Sequence, residues 1–153
     1  GRFEKIAVSS TAARIETPDL LRGRIRAIRS GGLASVTGSV VQNWFTPEFV
    51  EKPPLVIREA LEMLNRTRSE SYAALAETVC SLDLREDLKN IHLPLMILYG
   101  KEDKATPPAW NIALHQLIPA STLYELPGAH LLNRQSPDEF SKKLLEFFLT
   151  VDV

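Results

Sequence analysis

The stretch Leu93–Pro107, LPLMILYGKEDKATP, decides the fold. Leu95, Met96, Ile97, Leu98 and Tyr99 form a continuous apolar run, too short for a helix and bounded by Pro94 and Gly100. That pattern predicts a strand covered on both faces. The turn that follows carries Lys101, Glu102 and Asp103, which sets acidic side chains at the carboxyl end of the strand. Thr106, Pro107 and Pro108 then predict a helix start with a capping hydroxyl and proline in the first turn. In open α/β sheets the carboxyl ends of the strands are where ligands bind and reacting groups collect.

Downstream the pattern repeats. A helix is expected over Pro108–Leu117, burying Trp110, Ala113, Leu114 and Leu117, and Ile118 with Pro119 ends it. Thr122–Leu126 reads as a strand, Pro127–His130 as a turn, and Ser136–Leu149 as a helix that packs Phe140, Leu144, Phe147 and Phe148. Two such units, if parallel, bring Asp103 and His130 to one edge of a sheet, where a carboxylate can orient an imidazole for proton transfer. Glu102 is the neighbouring alternative for the acid, and Asp103 also reads as an ordinary turn or helix-capping carboxylate.

Upstream, Phe3–Ser9 reads as a strand centred on Ile6, Ala7 and Val8, and its small polar exit, Ser9, Ser10 and Thr11, suits the floor of a site. Thr17, Pro18 and Asp19 signal a helix with Leu21, Ile25 and Ile28 at helical spacing, stopped by Gly31 and Gly32. Further helices are expected over Leu33–Phe45, from Pro53 and Pro54 with Ile57, Leu61 and Leu64 on one face, and along a stripe of Tyr72, Leu75, Ala76 and Val79. Arg85–Ile91 reads as a short helix leading into the Leu95 strand. Three strands and about seven helices make a small sheet for a complete domain, since sheets average roughly five strands.

At 153 residues the chain is long enough for one domain with a core. A net charge of -1 with well-mixed signs gives no nucleic-acid surface and no acidic tail. No apolar run approaches the length needed to span a bilayer. Cys80, the one cysteine, cannot form an internal disulfide, which fits a reducing, cytoplasmic compartment, and it reads as a small packed residue. His92 and His115 read as solvated surface groups. Nothing in the sequence points to a metal or an organic cofactor, and there is no internal repeat. Because the chain runs almost at once into Ile6, Ala7 and Val8, it is expected to begin inside a folded element.

The strand, the GKED turn at Gly100–Asp103, the PGAH turn at Pro127–His130 and the final helix with Ser136, Pro137, Asp138, Glu139 and Phe140 resemble the carboxyl-terminal part of the α/β-hydrolase fold. The segments SSTAARI (Ser9–Ile15) and NWFTPEF (Asn43–Phe49) resemble 3-oxoadipate enol-lactonases. The resemblance implies an α/β fold of about three parallel strands with flanking helices and an inserted helical lid. Residues 1–16 would be the sixth strand and its exit loop, 17–84 the lid, and 85–153 the core with the acid and histidine turns. In that family the nucleophile, acid and histidine follow in this chain order, so Asp103 and His130 would be the second and third members of a triad. Trp44 resembles the lid tryptophan of the enol-lactonases and would line the pocket, plain core packing being the alternative. Arg14 would pair with a substrate carboxylate, or else be a solvated charge. Gln135 departs from the acidic residue often found five positions after the histidine, a change expected to leave the triad geometry untouched.

No G-x-S-x-G nucleophile elbow occurs in the sequence. The expectation is therefore the acid and histidine portion of a serine hydrolase acting on an ester or lactone, inactive alone and completed by an amino-terminal half or by a second copy. The competing class is a binding or assembly module that kept the fold and lost the chemistry. Dehalogenase, epoxide hydrolase and perhydrolase chemistries use related positions of the same fold.

Overall fold

The computed structural model describes residues 2–51 and 55–150. Its sheet has three parallel strands, β1 (Ile6–Ser9), β2 (Leu95–Gly100) and β3 (Ser121–Leu126), in the order β1-β2-β3. Every residue of β2 is buried, as its unbroken apolar run requires. Side chains alternate between the two faces. Leu95 and Ile97 join Ile6, Val8 and Leu123 under helix α7 (Pro108–Leu117) and its Leu114, whereas Met96 and Leu98 join Ala7 and Leu126 under helix α9 (Pro137–Leu149). Met96, Ile97 and Leu98 have no exposed surface, and burying each stabilises the fold by roughly 1.5–3 kcal/mol.

Between β1 and β2 the chain forms a helical block: α1 (Pro18–Gly31), a 3₁₀ turn at Leu33–Ser35, α2 (Thr37–Trp44), α3 (Pro47–Glu51), α4 (Leu55–Arg66) and α5 (Ser69–Ser81). The block has its own core, in which Ile25, Ile28, Leu33, Val40, Phe45, Ile57 and Leu64 are buried together. Its two ends meet at a neck, where Leu84 N–H donates to Ala13 O at 2.9 Å and Arg14 bridges Asp83 in antiparallel fashion. Helix α6 (Arg85–Leu88) follows, shorter than the expected Arg85–Ile91. Among the described residues no helix is long and apolar enough to cross a membrane.

Several expectations need correction. The helix expected over Leu33–Phe45 is broken at Val36, because Ser35, Thr37 and Ser39 each turn a hydroxyl back onto the carbonyl three residues earlier and tighten the backbone. Pro53 and Pro54 lie outside the described residues, and α4 is described from Leu55. On α5 the buried face is Ala73 and Ala76, while Leu75 is 70% exposed and Val79 40%. On α7 the buried residues are Asn111 and Leu114, and Ala113 is exposed. Phe148 is half exposed, with Phe140, Leu144 and Phe147 forming the packed face of α9. Helix α8 (Leu132–Gln135), after the histidine turn, was not anticipated.

Candidate active site

The two turns at the carboxyl edge of the sheet are pressed together by a glycine. A Cβ on Gly100 would lie 2.2 Å from Ala129 O and 2.6 Å from Gly128 O, so only glycine lets the end of β2 touch the histidine turn this closely. Backbone bonds then lock the turns, with Lys101 N–H donating to Leu126 O and Glu102 N–H to Gly128 O, both at 3.0 Å.

Within this frame Asp103 Oδ2 lies 2.9 Å from His130 Nδ1. The Asp103 side chain has no exposed surface, and that of His130 is 22% exposed. Asp103 Oδ1 accepts from the N–H groups of Ala105 (2.8 Å) and Thr106 (2.9 Å), and Oδ2 also accepts from the Thr106 hydroxyl at 2.8 Å. Burial works to raise the carboxyl's pKa, but the hydrogen bond and charge of His130, together with Thr106, outweigh it and hold the group below its ordinary 3.8. An ionised carboxylate can only accept, so Nδ1 carries the hydrogen and Nε2 of a neutral ring is left as a base. This is the arrangement that makes a histidine a directed proton acceptor. Glu102, the alternative acid, is exposed.

Thr106 does not cap α7 as anticipated. Its hydroxyl is held by Asp103, and Pro107 occupies the cap position. The fully buried Asn111 was missed by sequence reasoning. Its Nδ2 donates to Thr106 O at 3.1 Å, and its Oδ1 accepts from Thr11 N–H at 3.3 Å, which ties the acid turn to the exit of β1. An asparagine at a core position of an otherwise apolar helix face is the signal that could have found it. Gln135 also proves tied to the histidine turn. Its Oε1 accepts from Ala129 N–H (3.2 Å) and Thr46 N–H (3.3 Å), and its Nε2 donates to the Thr46 hydroxyl at 2.7 Å. One side chain thus joins the residue before His130 to the helical block.

A cleft of about 270 Å³ opens beside His130, lined on its polar side by Ser10, Thr11, Arg14 and Thr106 and on its apolar side by Ile15, Val79 and Leu82. Arg14 lies in this cleft with its guanidinium paired to Glu16 at 2.5 Å. Trp44 is not among the lining residues. It is partly buried against the core of the helical block, and its carbonyl accepts from Leu131 N–H at 3.1 Å. His115 is not simply solvated, since its Nδ1 lies 2.7 Å from Ser121 Oγ. His92 is exposed. Cys80 packs half-buried in the block, its Sγ 3.8 Å from Pro18 O. Ser10, one of the lining residues, holds a left-handed backbone with φ 48°, a conformation that costs a non-glycine residue about 1 kcal/mol or more. Among the described residues no group of three or more potential ligand side chains is arranged to hold a metal ion.

The acid turn and the histidine turn thus stand side by side at the ends of adjacent parallel strands of an α/β sheet. No family model matches the chain. It is 30% identical over 140 residues to 3-oxoadipate enol-lactonase 2 of Acinetobacter baylyi, an alignment covering 92% of this chain and 52% of that protein. Among solved structures, the enol-lactonase from Burkholderia xenovorans LB400 superposes with a TM-score of 0.93 at 30% identity, covering 97% of this chain and 57% of the other. A hydrolase from Pseudomonas aeruginosa superposes with a TM-score of 0.91 at 25% identity over the same shares. The chain spans about half the length of the curated relatives it matches. Its three strands and flanking helices are the carboxyl-terminal part of an α/β-hydrolase fold, and the chain is similar to 3-oxoadipate enol-lactonases.

Proposed function

We propose that this chain supplies the acid and the histidine of a serine hydrolase acting on a small carboxylic ester or lactone, most like a 3-oxoadipate enol-lactonase. The observation that carries the reading is the buried Asp103 accepting from His130 Nδ1 at 2.9 Å at the open edge of the sheet. A module without chemistry has no use for an oriented imidazole at the mouth of a cleft. The nucleophilic serine and the oxyanion hole lie on a segment outside these 153 residues, since no G-x-S-x-G elbow is present.

In the assembled site, His130 Nε2 takes the proton of the attacking serine and then returns it to the leaving oxygen. In the second half-reaction it activates water against the acyl-enzyme. Asp103 fixes the ring's tautomer and stabilises the imidazolium. Helices α1–α5 act as the lid. Arg14, in the cleft wall, is the cation that meets a substrate carboxylate by exchanging it for Glu16. Trp44 serves the lid's packing. The missing segment pairs with the edge of β1, which among the described residues is bonded only to β2. A second copy of the chain is the alternative occupant of that edge.

The test is hydrolysis of a p-nitrophenyl ester and of an enol-lactone by this chain alone and together with a segment bearing the serine elbow. Hydrolysis only in the combination, lost on His130→Ala, is expected. Equal hydrolysis with and without His130 would refute the assignment.

A further inference from the structure

The histidine turn is held to the helical block on both sides of His130. Before it, Ala129 N–H donates to Gln135 Oε1 at 3.2 Å, and the same oxygen accepts from Thr46 N–H at 3.3 Å. After it, Leu131 N–H donates to Trp44 O at 3.1 Å. Backbone N–H groups can only donate, which fixes the orientation of the Gln135 amide and turns its Nε2 to the Thr46 hydroxyl, 2.7 Å away. The partner on the block is firmly seated. Trp44, Phe45 and Thr46 form the corner between α2 and α3, where Phe45 is buried in the core of the block and stacks on Phe49 with ring centroids 5.3 Å apart. Arg134, next to Gln135, pairs with Glu59 of α4 and adds a second tie.

These bonds touch neither the imidazole nor Asp103. They fix the backbone on either side of the histidine, and with it the point from which the ring reaches Asp103 and the cleft. We propose that Gln135 is a positioning residue: by tying the histidine turn to the corner of the helical block, it makes the aim of the His130 ring depend on the seating of that block. A catalytic group displaced by about 1 Å loses about a hundredfold in rate, so such a tie matters beyond its own strength. A lid bonded to the residues on both sides of His130 cannot shift at that corner without moving the base of the ring. This role rests on the hydrolase reading, in which His130 is the proton acceptor.

Gln135→Leu removes all three side-chain bonds. Gln135→Glu keeps them, since one carboxylate oxygen accepts from the two N–H groups and the other from the Thr46 hydroxyl. Two readouts are taken beside the denaturation midpoint. The first is the tautomer of the neutral His130 ring in the chain itself, read from its nitrogen shifts by NMR. The unsubstituted chain is expected to hold the hydrogen on Nδ1. In Gln135→Leu the Nε2–H form should appear beside it, and Gln135→Glu should return the ring to Nδ1–H. The second is hydrolysis in the assembled enzyme, where Gln135→Leu is expected to lower kcat about tenfold to a hundredfold with KM within about twofold. Gln135→Glu should regain most of that loss. A lower midpoint in Gln135→Leu with tautomer and kcat unchanged marks a purely structural glutamine and overturns the proposal. Equal impairment of the two variants overturns it as well. Should Gln135→Leu fail to fold, Thr46→Val, which removes the hydroxyl that Nε2 meets, is read in its place and must move tautomer and kcat in the same direction, by less. The tautomer comparison needs no activity, so its failure is distinct from failure of the hydrolase reading, which rests on His130-dependent hydrolysis.

Discussion

The acid turn after β2 and the exit of β1 lie side by side on one sheet edge and are built on opposite terms. In the acid turn both Asp103 oxygens are bonded, and the carboxylate is fully enclosed. At the exit of β1 a residue is strained, its hydroxyl is buried without a partner, and the strand has a neighbour on one side only among the described residues. The fold uses the bonding capacity of the carboxylate in full and leaves that of the hydroxyl unused.

The largest effect is expected from unmaking the acid turn chemically while keeping its shape. Asp103→Asn preserves volume but favours the wrong imidazole tautomer. In the assembled hydrolase, kcat is expected to fall by about ten-thousandfold, read by ester hydrolysis under saturating substrate. Next in size is Gly100→Ala. A methyl group 2.2 Å from Ala129 O must push the two turns apart, at a cost of about 3 kcal/mol. A Tm roughly 6–12 °C lower, measured by calorimetry, checks it.

How much of this was legible in the sequence follows from the range of the interactions. The strand Leu95–Gly100 and the meeting of Asp103 with His130 are readable because each turn is a local pattern and parallel adjacency does the rest. Asn111 and Gln135 are not readable in that way, because their partners Thr11 and Thr46 are 100 and 89 residues distant. Helical periodicity finds a stripe on α5 but does not say that Leu75 and Val79 face outward, since that depends on which side Ala73 and Ala76 pack. The hydroxyl of Thr106 carries the residue type of a helix cap and is captured by Asp103 instead.

A smaller effect is expected at Gln135, which joins the histidine turn to the helical block. Gln135→Leu leaves Ala129 N–H and Thr46 without their partner and should cost about 1–2 kcal/mol in urea denaturation. Gln135→Glu, which still accepts from both N–H groups, should cost less. An equal loss in the two would contradict the role given to those bonds.

The smallest expected effect is on pH dependence. The folded-state pKa of Asp103 is lowered, so the unfolded chain binds its proton first on acidification. The pair's contribution is complete above the unfolded carboxylate range and is lost as pH falls through the folded value. Denaturation measured between about pH 5 and pH 2 should show this decline, flattened in part by Asp103→Asn. An unchanged slope in that variant would place the titration elsewhere.

Asp103 and His130 are expected to direct a proton and no serine of this chain to attack. Labelling with a fluorophosphonate probe, followed by peptide mass spectrometry, tests it most directly. The expected result is no label on any serine of this chain, and a His130-dependent label on the elbow serine of a completing segment when that segment is present. A label on Ser9, Ser10 or another serine of this chain, accompanied by hydrolysis without any second segment, would contradict it.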